Sequence, residues 1–82
     1  MESILTSIKK LLGITEEYTH FDTDIIVHIN SVFATLNQLG VGPAEGYEIE
    51  DSVDAWGDFL GDKETSLNTV KTYTYLKVKL LF

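Results

Sequence analysis

Residues 22–39 constrain the fold most strongly, because their apolar side chains recur with the period of an α-helix. Successive apolar positions lie four, three, four and three residues apart, and polar residues occupy the opposite face at the same spacing. The apolar stripe comprises Ile25, Ile29, Val32, Leu36 and Leu39 with Phe33 beside it, and the polar stripe comprises Asp24, His28, Ser31, Thr35 and Gln38. The pattern predicts a helix with one buried face, and every member of the apolar set except Leu39 is a predicted core anchor.

The ends of this helix carry recognisable signals. Asp22 is predicted to cap the first backbone N–H groups, and Phe21 and Ile26 are placed to form a hydrophobic staple across the helix start. Gly40 ends the run.

A shorter amphipathic helix is predicted over residues 2–12. Gly13 follows it as a residue that ends helices by adopting a positive φ. The apolar positions that fit the helical period are Ile4, Leu5, Ile8, Leu11 and Leu12.

Residues 40–50 contain three of the six glycines and the one proline, which predicts an ordered loop. A third helix is predicted over residues 51–60, with Asp51 as its cap and with Val53, Trp56 and Leu60 on its apolar face. Gly57 weakens that helix by about 1 kcal/mol relative to alanine. Trp56 and Leu60 are further predicted core anchors.

The last segment, residues 64–82, is ambiguous on local evidence. From Val70 onward, residue types alternate with a period of two in a sequence rich in threonine and tyrosine, which favours a strand by propensity. The spacing of Leu67, Val70 and Tyr73 also fits a helix, and a lone strand would have no partner. Both alternatives remain open on the residues of the segment alone.

The size of the chain implies a need for additional stability. At 82 residues it corresponds to a single domain, and below about 80 residues one core seldom supplies more than about 3–5 kcal/mol. The chain has no cysteine, which excludes disulfides, cysteine-bound zinc and thiol catalysis. Oligomerisation is therefore the leading candidate for the missing stability.

The net charge of −7 narrows the possible partners. The six basic residues are all lysines, so the chain lacks the arginine fork that recognises phosphate, and its acidity opposes binding to nucleic acid or to an anionic membrane. No apolar run is long enough to span a bilayer, and residues 1–10 do not resemble a secretion signal. We expect an intracellular protein without a membrane partner.

Three groups of residues imitate functional sites without satisfying their requirements. The glycines of residues 40–46 do not match a phosphate-binding loop, and a turn explains them better. Asp24, His28 and Ser31 belong to the regular polar stripe, whereas a nucleophilic triad needs its base between the acid and the nucleophile. His20, Asp22 and Asp24 lack the spacing of a calcium loop. We predict no catalytic, cofactor or metal site.

Charge is distributed unevenly along the chain. Residues 45–64 carry eight acids against one lysine, whereas residues 65–82 carry three lysines and no acid. Such polarity would allow the acidic region of one copy to face the basic end of another. On charge alone, two solvated faces of a monomer explain the same pattern.

Four motifs in this order resemble a known family. They are KKLLGI after the first helix, D-x-D-I-I-x-x-I-N in a helix that ends at Gly40, W-G-D-F-L, and V-K-x-Y-x-Y-L-K-V-K-L-L-F at the end. The chain is similar over nearly its whole length to the head–tail connector, or adaptor, proteins of long-tailed bacteriophages and prophages. The motifs consist of apolar anchors and helix ends and contain no catalytic signature.

The resemblance implies an all-α bundle of about four helices, including a helical last segment, and a non-enzymatic structural role in the neck of the virion after assembly in the host cytoplasm. Copies would form a ring below the portal protein and above the next head-completion or tail protein, with DNA only as passing cargo. We expect the acidic third helix and the loop before it to face the lysine-bearing last helix of the next copy. The candidate interface residues are Asp54, Asp58, Asp62, Lys71, Tyr73, Tyr75, Lys77 and Lys79.

Two alternatives belong to other functional classes. An acidic regulatory module that mimics DNA or caps a basic protein would require ordered rows of acids and no self-assembly. A small enzyme or metal protein would require a bound metal or a cleft with perturbed titrations.

Overall fold

The computed structural model describes residues 3–61 and 67–81, and these residues form four helices and no named strand. The helices are α1 (Ile4–Leu12), α2 (Asp22–Gln38), α3 (Trp56–Leu60) and α4 (Leu67–Leu81). Helix α4 packs against both α2 and α1, which also contact each other. The prediction of a small all-α bundle is confirmed.

Aromatic rings fill the centre of the bundle. Phe33 on α2 stacks on Phe59 on α3, with ring centroids 4.1 Å apart and planes 8° from parallel. Trp56 meets Phe33 edge-on at 6.1 Å, the geometry that the ring quadrupoles favour. All seven residues predicted as core anchors are buried: Ile25, Ile29, Val32, Phe33, Leu36, Trp56 and Leu60.

Polar contacts join α3 to the start of α1. The indole Nε1 of Trp56 donates a 2.7 Å hydrogen bond to Ser7 Oγ, which satisfies the one polar atom of a buried ring. The Ile4 N–H donates to the Asp54 carbonyl at 3.0 Å, beside an isolated antiparallel bridge between Ser3 and Ala55. Segments about fifty residues apart in the chain are thus held together by both side-chain and backbone bonds.

The third helix is shorter than predicted. Residues 51–54 form a bend and turn, and α3 begins only at Trp56. Asp51 Oδ1 accepts the Val53 N–H at 2.8 Å, and Asp54 Oδ2 accepts the Glu50 N–H at 2.8 Å. These carboxylates satisfy the backbone of a turn in place of a helix. Val53, predicted on the apolar face of the helix, is 82% exposed.

The predicted cap of α2 is also wrong. The helix begins at Asp22 with Phe21 as its flanking residue, so Phe21 does not occupy the position of the predicted staple. The Asp22 carboxylate instead lies 2.8 Å from Lys9 Nζ, and this ammonium also donates to the Glu16 carbonyl at 3.0 Å. Lys9 is only 2% exposed, and a buried ammonium needs such partners.

The last segment is a helix, and the strand alternative is wrong. Val70, Thr74 and Val78 are buried at intervals of four residues, close to the 3.6-residue period of a helix, because α4 lies against two other helices. The outer parts of the predicted boundaries, at residues 2, 64–66 and 82, lie outside the described residues.

Ser3 caps α1, since its Oγ accepts the Thr6 N–H at 3.2 Å.

We expect Asp22→Ala to lower the free energy of unfolding by about 2–3 kcal/mol, because it leaves the buried Lys9 ammonium without its counter-charge. Asp24→Ala removes an exposed acid from the same helical turn and should cost about 1 kcal/mol or less. Urea unfolding followed by Trp56 fluorescence measures both changes. Equal losses for the two variants would contradict a structural role for the ion pair.

Thr74 is a position at which a substitution should stabilise the fold. It is fully buried, and its hydroxyl has no hydrogen-bond partner within residues 3–61 and 67–81. We expect Thr74→Val to stabilise the fold by about 1 kcal/mol, since it removes an unsatisfied polar atom at nearly constant volume. Thr72→Val, at an exposed position of α4, should change stability by less than about 0.5 kcal/mol. Destabilisation by Thr74→Val in thermal unfolding would show that the hydroxyl is satisfied.

Candidate interaction surface

Helix α4 carries apolar side chains on the side that faces away from the bundle. Leu76 is 51% exposed and Leu80 is 80% exposed, although both belong to a helix whose other side is buried. Together with Tyr73 they lie three and four residues apart, which places them on one stripe of the helix. The chain therefore presents an apolar strip at the surface of α4.

The lysines of α4 lie beside tyrosine rings. Lys77 Nζ lies 5.6 Å from the centroid of the Tyr73 ring, and Lys79 Nζ lies 5.8 Å from that of Tyr75, within the range of cation–π attraction. Both tyrosines are partly buried against the core. The two pairs lie on opposite flanks of the buried stripe, so the candidate basic residues do not form one patch.

A groove separates the exposed strip of α4 from α2. Its volume is about 330 Å³. Its walls are formed by Ser31, Val32 and Thr35 of α2 and by Tyr73, Lys77, Leu80 and Leu81 of α4. The groove combines an apolar wall with one ammonium group.

Two of the predicted acidic interface residues, Asp54 and Asp58, accept hydrogen bonds from backbone N–H groups of their own subunit. Asp54 binds backbone N–H groups of its own turn, and Asp58 Oδ2 accepts the Ala55 N–H at 3.3 Å at the start of α3. Asp58 is nevertheless exposed, and so are Glu48, Glu50 and Asp51. Asp62 lies outside the described residues. The exposed negative charge of this region therefore comes mainly from the segment before α3.

Two asparagines of α2 hold the loop of residues 40–50, and sequence reasoning missed them. Asn30 donates through Nδ2 to the Ile49 carbonyl at 3.0 Å and accepts the Ile49 N–H through Oδ1 at 2.7 Å. Asn37 Nδ2 donates to the Pro43 carbonyl at 3.3 Å. Their separation of seven residues, which places both on one helical face, was the available signal.

Gly42 allows this loop to approach the core closely. Its φ is +87°, and a Cβ at this position would lie 2.5 Å from Phe59 Cε1. Only glycine meets both requirements without displacing the stacked ring.

The environment of Tyr47 perturbs its titration. Burial, the negative charges of Asp54 and Asp58, and a long 3.5 Å hydrogen bond to Asp54 Oδ1 raise the pKa of the phenol to about 12. The phenol therefore keeps its proton at any physiological pH. It supports the acidic turn as a hydrogen-bond donor and is not poised for acid–base chemistry.

The described residues contain no group of three or more histidine or acidic side chains that could hold a metal ion. Asp24, His28 and Ser31 all belong to α2, where Asp24 and Ser31 are exposed and His28 is partly buried. None of the helices within residues 3–61 and 67–81 is both long and apolar enough to cross a bilayer.

An acidic helical bundle with an unpartnered apolar helix face is characteristic of a subunit that works by contact with other proteins. Comparison with protein families matches residues 4–82 to the phage connector protein family. The chain belongs to this family, which is structural and non-enzymatic and contributes a component of the virion neck. Its members contact other proteins of the phage head and tail. The comparisons with curated proteins and with solved structures each gave no match.

The titration of Tyr47 predicts a pH dependence of stability. The phenol ionises near pH 10.0 in the unfolded chain and near pH 12 in the folded one. The raised pKa of Tyr47 therefore contributes fully to the free energy of unfolding below pH 10, and this contribution is lost as the pH rises towards 12. We expect Tyr47→Phe to lose less stability than the wild type over this interval in urea unfolding. Parallel pH profiles of the two proteins would contradict the assignment.

Proposed function

We propose that this phage connector subunit assembles with copies of itself into a ring below the portal and that the ring forms part of the DNA channel to the tail. The match of residues 4–82 to the connector family carries this proposal. The exposed apolar strip of α4 supports it, because a ring subunit must leave part of its apolar surface for its neighbours. We propose that residues 1–82 act as one domain in this assembly.

A closed ring of identical subunits requires two different patches on each copy. We propose that the segment of residues 45–58 forms one patch and α4 the other. The first carries exposed acids, and the second carries Lys77 beside the α2–α4 groove, with Lys79 on the opposite flank of the helix. The acids and Lys77 are therefore complementary in charge. Lys71, Tyr73 and Tyr75 would border the contact, as would Asp54, Asp58 and Asp62 on the acidic side.

The net charge of −7 suits a wall around passing DNA. Repulsion between the acidic wall and the phosphates would prevent the duplex from adhering to the channel. The same charge agrees with the absence of arginine, the residue best suited to bind phosphate. DNA would then be cargo that the ring conducts without binding.

Charge reversal on α4 tests the ring proposal. Lys77→Glu places a negative charge against the acidic segment of the next copy, and we expect it to reduce self-association by about tenfold or more. Lys10→Glu makes the same change in net charge at an exposed position of α1 and should leave association unchanged. Sedimentation velocity over a range of protein concentrations measures both. Wild-type association by the Lys77→Glu protein would remove α4 from the interface.

A further inference from the structure

Within residues 3–61 and 67–81, Val53 is the most exposed of the large apolar residues, with 82% of its surface accessible. It lies between acids, since Glu50 and Asp51 precede it and Asp54 follows it. A valine within such a polar segment contributes little to the core of its own subunit. Its exposed methyl groups are available for contact with another molecule.

The turn that carries Val53 is fixed from several directions. Its own N–H is bound by Asp51 Oδ1 at 2.8 Å, and the Asp54 carboxylate closes the turn by accepting the Glu50 N–H at 2.8 Å. The Asp54 carbonyl accepts the Ile4 N–H at 3.0 Å, which ties the turn to α1. Val53 is therefore a pre-organised projection, and ordering it in a complex costs little additional entropy.

The α2–α4 groove has the complementary properties. It offers Val32, Leu80 and Leu81 as apolar walls, and of these Leu80 and Leu81 are exposed to solvent. Lys77 lines the same groove and supplies the opposite charge to the acids that flank Val53. Its volume of about 330 Å³ is more than a valine side chain occupies.

We propose that Val53 of one copy inserts into the α2–α4 groove of the next copy, with Glu50 and Asp51 placed towards Lys77. This inference rests on the proposed self-assembly and specifies its contact. Projection and groove are different patches of one chain, so the contact is heterologous and repeats from copy to copy, as a ring requires. Burial of the valine against Leu80 supplies apolar contact, and the charges around it set the orientation.

Because the chain has no cysteine, single thiols can report this contact directly. Val53→Cys and Leu80→Cys proteins of distinguishable mass are mixed at equal concentration and oxidised mildly. Random collision gives mixed disulfides as half of the product, whereas seating of Val53 beside Leu80 brings the two thiols within bonding distance. We expect the mixed product to exceed half of the total and to outnumber either symmetric product by severalfold more than the twofold ratio of random collision.

The matched control pairs Val53→Cys with Leu39→Cys, a residue that is 68% exposed at the end of α2 and outside the groove. That pair should give the random proportion. A random proportion from the Val53→Cys and Leu80→Cys pair would overturn the inference.

Association of the proteins without new cysteines separates this inference from the proposed function. Val53→Ser should weaken self-association by about tenfold, and Leu39→Ser should not change it. If the wild type associates while the mixed disulfide stays random, the Val53 contact is wrong and the ring proposal stands. If the wild type remains monomeric at every concentration, both fail.

Discussion

The packing of α4 against α2 and α1 determines what this chain presents to other molecules. The helix buries a stripe made of Val70, Thr74 and Val78, and this contact fixes its rotation about its own axis. Leu76 and Leu80 then have to face outward. Any rotation that covered them would expose the buried valines. The apolar surface strip is thus a consequence of the way the core is made, and in a connector protein such a strip is available for contact with another protein of the phage head or tail.

The acidic segment of residues 45–58 reflects the small size of the chain. With no disulfide available, the chain shapes its loops with side-chain hydrogen bonds. Asn30 and Asn37 of α2 hold residues 40–50, while Asp51 and Asp54 hold the turn before α3. Part of the negative charge therefore maintains backbone shape, and the exposed glutamates and aspartates around it remain available to a partner. Shape and charge are both provided by one short stretch of the chain.

Periodicity predicted the helices because burial of one face imposes it, most clearly in α2, whose predicted anchors are all buried. The start of α2 was mispredicted because capping competes with tertiary contact, and Asp22 pairs with a lysine of α1. Likewise, Asp51 serves a turn and not a helix, which local propensity does not distinguish. The last segment was ambiguous because the β propensity of threonine and tyrosine opposed a pattern that only packing on two helices resolves. The proposed pairing of Val53 with the α2–α4 groove depends on the tertiary arrangement and has no signal along the chain.

The central claim is that this subunit works by docking against copies of itself through two different surfaces. Native mass spectrometry of the unmodified protein at increasing concentration tests it most directly, because the masses of all assemblies are read at once. We expect one closed oligomer in equilibrium with monomer, since a heterologous contact that closes gives a single stoichiometry. A spectrum that contains monomer alone at every concentration, or a dimer and nothing larger, would contradict it.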